Sequence, residues 1–367
     1  MEQFVIRSRY EFCYAKRPNK TDCAIIAWKK DKFELINGAS LCYDDLADAA
    51  KQYVENAAEI KDGDPGDDIG DVEDTFRKNN VAAMVALRAK NSDSDAGVVV
   101  GSTHLYFNPA MANVKLSQAQ MLKEAIGYFA LKHKFPVVLC SDLNSQPTGV
   151  AYSVLISPTD PMCDASETMP VGWAKSLHYQ RADTDESELV QEFVPSEEDY
   201  DHWLKHLQKV LHVGTKQSLL VRRDASDCWD HKLFTKTKEG DRKTEPWAFK
   251  SSYLEAARNS RWIEDDSGEL LCSNINHETL EPEATTFTAE FSGCIDYIFY
   301  RGNVPSSAGE KAPNATDSSP HLSLIGCWPL PTKEEACAGH QSLALPNSTH
   351  PSDHLPLTAK FSLHECA

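Results

Sequence analysis

The chain has 367 residues, 41% hydrophobic and 25% charged, with a formal net charge of −18. This length and apolar content support one large domain, or two smaller ones, with a substantial core. The acidic balance argues against a protein that grips duplex DNA through a basic face, since phosphate neutralisation supplies most non-specific affinity. A groove made positive by local cations or bound metal remains compatible with it.

Eleven cysteines are present without a CxxC pair. A zinc cluster or disulfide framework therefore has little support, and a reducing compartment fits best. Cys23 and Cys140 lie inside apolar runs, where buried free thiols are expected. Met1–Arg7 lacks the apolar core of a signal peptide, and no segment reaches membrane-spanning length. The expectation is a soluble intracellular protein, cytoplasmic with the nucleus as the alternative, that does not engage membranes. The Asn-x-Ser/Thr matches at Asn19, Asn314 and Asn347 are then chance.

In chain order, Cys23–Trp28 and Phe33–Ile36 read as strands, and the acidic Gly/Pro-containing stretch 61–74 reads as an exposed loop. Val81–Leu87 and Gly97–Tyr106 are β-rich. A helix is predicted from Ser117, with Ser117 and Gln120 as a capping box and Met121, Leu122, Ala125, Ile126 and Phe129 on one face. Pro136 follows, then the short strand Val137–Cys140. The stretch at about 158–245 is polar and acidic and reads as an insertion packed on the domain. It holds one clear helix, capped by Ser196, with Tyr200, Trp203, Leu204, Leu207, Val210 and Leu211 on one face. Strands resume at Thr285–Phe291 and Cys294–Tyr300, and a Pro/Ser/Gly-rich loop spans about 303–319. Strand–helix–strand order implies α/β architecture.

Four short constellations place ionisable or amide side chains at strand ends: Ser102-Thr103-His104, Ser141-Asp142-Leu143-Asn144, Gly293 through Asp296, and Ser352-Asp353-His354. Singly, each has a bland reading. His104 could be a surface histidine, and Asp142 with Asn144 an Asx turn. Together they offer hard oxygen ligands suited to Mg²⁺ or Mn²⁺, and imidazoles that can stabilise a phosphoryl centre. Asp296, in an apolar strand, needs a partner for its buried charge, and His354 is the candidate.

The stretch Ser102–Leu155, Pro282–Tyr300 and Leu345–Leu357 together resemble the nocturnin/Angel/carbon catabolite repressor branch of the endonuclease/exonuclease/phosphatase superfamily. The resemblance implies a DNase I-like α/β sandwich of two sheets flanked by helices. One such domain would span 1–367, with the insertion at about 158–245 and the loop at about 303–319. It implies that Asp142 positions the attacking water and that Asn144 binds phosphate or metal. Asp353 would help hold metal, His354 oriented by Asp296 would contact the scissile phosphate, and His104 would line the phosphate site. The implied metal set is Asp142, Asn144, Asp353 and His354, around Mg²⁺ or Mn²⁺. Asn108 and Phe287 are candidates for contacting a terminal nucleotide.

Two departures accompany it. Ser102 stands where the branch has Asn. The branch's Leu-Gln-Glu-type metal motif and its first two strands would precede Met1, and Glu2 is a poor substitute. The expectation is a fold missing its first strands, with unpaired edges. The activity implied is 3′-directed RNA hydrolysis of the poly(A) type, on a single-stranded RNA 3′ end or a nucleotide. Alternatives are a 2′,3′-cyclic or 2′-phosphodiesterase or nucleotide phosphatase, and a non-catalytic RNA- or protein-binding isoform, with the acidic insertion as a surface for a protein partner.

Overall fold

The computed structural model describes residues 9–59, 73–90, 96–157, 177–180, 187–189, 197–198, 200–208, 211, 248–263, 274–303, 320–340 and 342–364. Glu2, most of the acidic loop 61–74, most of the loop at 303–319 and most of the stretch 158–245 lie outside these residues. Among the described residues no helix is long and apolar enough to cross a membrane.

The alternation of apolar residues at period two builds the first hairpin. Strands β1 (Tyr10–Lys16) and β2 (Cys23–Lys29) pair antiparallel, burying Cys13, Ala15, Ala24, Ile26 and Trp28 on one face. The other face leaves Ile25 half exposed, together with Cys23, contrary to the thiol burial expected for Cys23. Cys140 is exposed for the same reason: it falls on the outward phase of its strand.

The central layer is a six-stranded sheet in the order β3-β4-β5-β6-β12-β9. Its members are β3 (Phe33–Cys42), β4 (Val81–Ala89), β5 (Gly97–His104), β6 (Val137–Asp142), β9 (Lys250–Ser251) and β12 (Asp296–Arg301). In β4, Ala82, Met84 and Ala86 face the helices, while Val81, Ala83, Val85 and Leu87 face the inner side of the first hairpin. A strand covered on both sides needs an unbroken apolar run, which is what the sequence supplies there.

Strands β5 and β6 are parallel, joined by the long helix Ala112–His133. Gly101 lets that helix close on the sheet: a Cβ there would lie 2.6 Å from Ile126 Cδ1. The helix starts five residues before the expected capping box, so Ser117 is buried inside it rather than capping it. Val114 and Leu116 extend the apolar face backward, and a turn from Asn108 to Met111 leads in. The expected strand Thr285–Phe291 shrinks to β10 (Thr286–Phe287), paired with β11 (Ser292–Gly293), because Thr288 and Phe291 close a turn between them.

Strands β7 (Leu177–Gln180) and β8 (Ser187–Leu189) come from the stretch read as an insertion. They extend the first hairpin into a sheet of order β2-β1-β7-β8. Leu177 is fully buried, Tyr179 stacks on Trp28 and His178 on Tyr14. Strand β1 thus has a partner on both sides, while β13 (His321–Cys327) and β14 (Ala359–His364) form a two-stranded sheet, with Cys327 of β13 also bridging Trp262. Helical residues 200–208 pack on the helix Asp45–Glu59 through Trp203, whose indole donates to Asp45, and Tyr200, which donates to Asp48. Ser196 and Val210 of the expected helix lie outside the described residues.

Trp203 is 1% exposed within the main core. Trp203→Ala is expected to cost about 3–5 kcal/mol, measured by chemical denaturation. A loss near zero would mean that this segment is appended to the domain rather than part of its core.

Candidate active site

Strand register brings the chemistry together. In the β6–β12 ladder Asp142 is directly opposite Asp296, and in the parallel β5–β6 ladder His104 is the neighbour of Asp142. Three adjacent strand ends therefore present an imidazole and two carboxylates in a row. His104 Nε2 lies 3.5 Å from Asp142 Oδ2, with its side chain half exposed.

His354 reaches the same point from the segment before β14. A bridge pairs it with Thr286, Leu355 N–H donates to Thr285 O, and Thr286 Oγ1 donates to Asp353 O at 2.7 Å. These bonds hold His354 Nδ1 2.8 Å from Asp296 Oδ2, and the same oxygen accepts from Thr285 Oγ1 at 2.6 Å. Thr285 Oγ1 also accepts the N–H groups of Ile295 and Asp296. A carboxylate that accepts from Nδ1 fixes the tautomer and aims Nε2 away from itself.

The electrostatics differ between the groups. The hydrogen bond that His354 donates to Asp296 raises the His354 pKa to about 9 against the opposing effect of burial, helped by the charges of Asp296, Asp142 and Asp353. Asp142 is raised above the usual carboxylate range, first by burial and then by the charge of Asp296. His104, the Asn144 N–H and His354 partly offset that rise. Asn144, with a left-handed φ of 47°, donates its N–H to Asp142 Oδ1 at 2.9 Å and its Nδ2 to Leu105 O at 3.1 Å.

One atom each from Asp142, Asp296 and His354 lie within 4.8 Å of one another. Two carboxylates facing across a ladder, one of them raised by the other's charge, fit a hard divalent cation that would relieve their repulsion. The set differs from the one expected. Asp296 belongs to the cluster, whereas Asp353 is exposed and meets the site through its carbonyl oxygen and its charge.

The nucleotide contact expected of Phe287 also needs correction. Phe287 is fully buried among Tyr253, Leu345 and Leu355, so its ring is not available for stacking. Asn108 Oδ1 accepts Ala110 N–H, so this side chain builds the turn before the long helix. Two other aromatics are exposed instead. Phe107 is 67% exposed three residues after His104. Phe291, 41% exposed in the β10–β11 turn, lies against Gly293 beside Gln146. A lone Phe between Glu290 and Ser292 was the available signal for Phe291.

No protein-family model matches the chain. It is 30% identical over 183 residues to carbon catabolite repressor protein 4 homolog 4 of Arabidopsis thaliana, covering 44% of each. It is 27% identical over 297 residues to protein angel homolog 2 of Danio rerio, covering 78% of this chain and 44% of that one. The curated relatives it matches are carbon catabolite repressor 4 homologues, angel homologues and a probable RNA exonuclease of Saccharomyces cerevisiae, so the chain is similar to proteins of that group. It spans about half the length, or less, of the first curated relatives it matches. Among solved structures, ANGEL2, a 2′,3′-cyclic phosphatase in complex with adenosine-2′,3′-vanadate, aligns at TM-score 0.47 and 21% identity. That alignment covers 96% of this chain and 74% of the other.

The raised pKa of His354 gives a signed prediction. Its contribution to stability is fully present below about 6.5, the unfolded value, and is lost as pH rises through about 9. Asp296→Asn should move the His354 titration, followed by imidazole NMR, down by at least about one unit and flatten stability across that window. An unchanged titration would show that Asp296 does not set the charge of His354.

Proposed function

We propose that the chain is a divalent-metal-dependent phosphodiesterase acting at the 3′ end of RNA, as a poly(A)-type exoribonuclease. The observation that carries this reading is the His354–Asp296 pair set against Asp142 at the ends of adjacent strands. Asp142, its pKa raised by burial and by the charge of Asp296, orients the attacking water and accepts its proton. His354, protonated at neutral pH, donates from Nε2 to a non-bridging phosphoryl oxygen as charge builds there. His104, on the exposed side of Asp142, lines the phosphate path. Asn144 holds Asp142 and the Leu105 backbone in register. A divalent cation held by the carboxylates would supply Lewis-acid polarisation and charge neutralisation.

The net charge of −18 opposes approach of RNA, so the site needs local cations. Arg17 is one. Its guanidinium donates to the carbonyls of Asn79 and Lys78 and pairs with Asp22, whose carboxyl is also influenced by His104. Lys78 in turn lies over the Tyr106 ring. Phe107 and Phe291 are the exposed rings that would stack on terminal bases.

The test is hydrolysis of oligo(A) by this chain with Mg²⁺ or Mn²⁺, alongside RNA ending in a 2′,3′-cyclic phosphate and a nucleotide cofactor. Release of mononucleotides from oligo(A) is expected, with His354→Ala lowering kcat by about 10²–10³-fold. Turnover of the cyclic end alone would transfer the same site to cyclic-phosphate hydrolysis. RNA binding without turnover of any of the three would favour the non-catalytic reading.

A further inference from the structure

The first turns of the helix Ala112–His133 bury polar side chains that the hydrolytic reading leaves without a role. Lys115 is 1% exposed, and its ammonium donates to the carbonyl oxygen of Asn144 at 2.8 Å. Gln118, one turn further on the same face, is fully buried. Its Oε1 accepts the Tyr106 N–H at 3.0 Å and its Nε2 donates to Asn80 Oδ1 at 3.3 Å. Asn80 Nδ2 donates in turn to the carbonyl of His104 at 2.9 Å.

A buried ammonium is costly, and an apolar residue would pack a helix against a sheet more simply. What Lys115 meets is the carbonyl of Asn144, a residue whose φ of 47° lies in the left-handed region. A non-glycine residue in that region costs about 1 kcal/mol and persists only where its surroundings hold it. Without the ammonium, a buried carbonyl would lose its charged donor, and a turn in the ordinary region would become competitive. The consequence runs directly to the site. Asn144, anchored at its carbonyl by Lys115, donates its N–H to Asp142 Oδ1, and Asn144 Nδ2 and the Asp142 carbonyl together hold Leu105.

We propose that Lys115 is a positioning residue for hydrolysis, acting through the Asn144 turn on the Asp142 carboxylate, with Gln118 and Asn80 fixing the neighbouring His104 segment. The inference rests on the hydrolytic reading above. It separates Lys115 from a lysine that only stabilises the fold, and the same helix supplies that comparison. Lys123 is also buried, and it donates to the carbonyls of Val154 and Ser157 at the end of the helix Val150–Ile156, away from Asn144.

The experiment is steady-state hydrolysis of the substrate that the wild-type chain turns over, with Lys115→Met and Lys123→Met measured in parallel. Lys115→Met should lower kcat by about ten- to hundredfold with KM within about twofold, as expected when transition-state geometry is lost and ground-state binding is kept. Lys123→Met should lose stability and retain kcat. Equal kcat in Lys115→Met and wild type, or an equal loss in both variants, overturns the proposal. If Lys115→Met does not fold, Lys115→Gln, which keeps a shorter neutral donor, is judged by the same kcat and KM criteria. A wild-type chain that hydrolyses none of the three substrates would instead overturn the functional reading, and the role of Lys115 with it.

Discussion

Two carboxylates face each other across the β6–β12 ladder, and the rest of the site is organised around that repulsion. Asp142 and Asp296 are cross-strand partners, so their separation is set by the sheet rather than by flexible side chains. Two like charges this close, one largely buried, need compensation. The fold gives each a different solution. Asp296 takes an imidazolium and a threonine hydroxyl. Asp142 takes a backbone N–H from Asn144 and the neighbourhood of His104, and it remains raised. In the proposed mechanism Asp296 orients the histidine, Asp142 takes the proton of the water, and both carboxylates face the cation.

The same ladder explains why distant stretches of sequence must fold together before any chemistry exists. His104 arrives from β5, and the β5–β6 crossover helix braces the loop after β6 from behind. His354 arrives from a segment docked on Thr285 and Thr286. Trp203, far from all of these, packs in the same core. A site of this kind is held by the sheet and its cover, which suits chemistry that tolerates little displacement.

Much of this was legible in the sequence, for identifiable reasons. Val81–Leu87 and Val137–Cys140 are short apolar runs bounded by polar turns, and both are sheet strands. The buried charge of Asp296 called for a partner, and His354 sits at 2.8 Å. Other features were hidden because they depend on three-dimensional context. Strand phase, not local hydrophobicity, exposes Cys23 and Cys140. Phe287 and Phe291 are equally aromatic in sequence, and only the turn between β10 and β11 buries one and exposes the other. The capping-box pattern at Ser117 was overridden by tertiary packing of Val114 and Leu116. Strands β7 and β8 come from a polar, acidic stretch whose pattern does not announce them, and their pairing is set by the open edge of β1.

The function proposed for the site depends on Asp142 and Asp296 together holding a cation. The most direct measurement is binding of Mn²⁺, followed by electron paramagnetic resonance, to the whole chain and to Asp142→Asn. The account predicts stoichiometric binding by the wild type, weakened by at least about tenfold in the variant, as loss of a charged oxygen ligand requires. Equal Mn²⁺ affinity in the two proteins would contradict it.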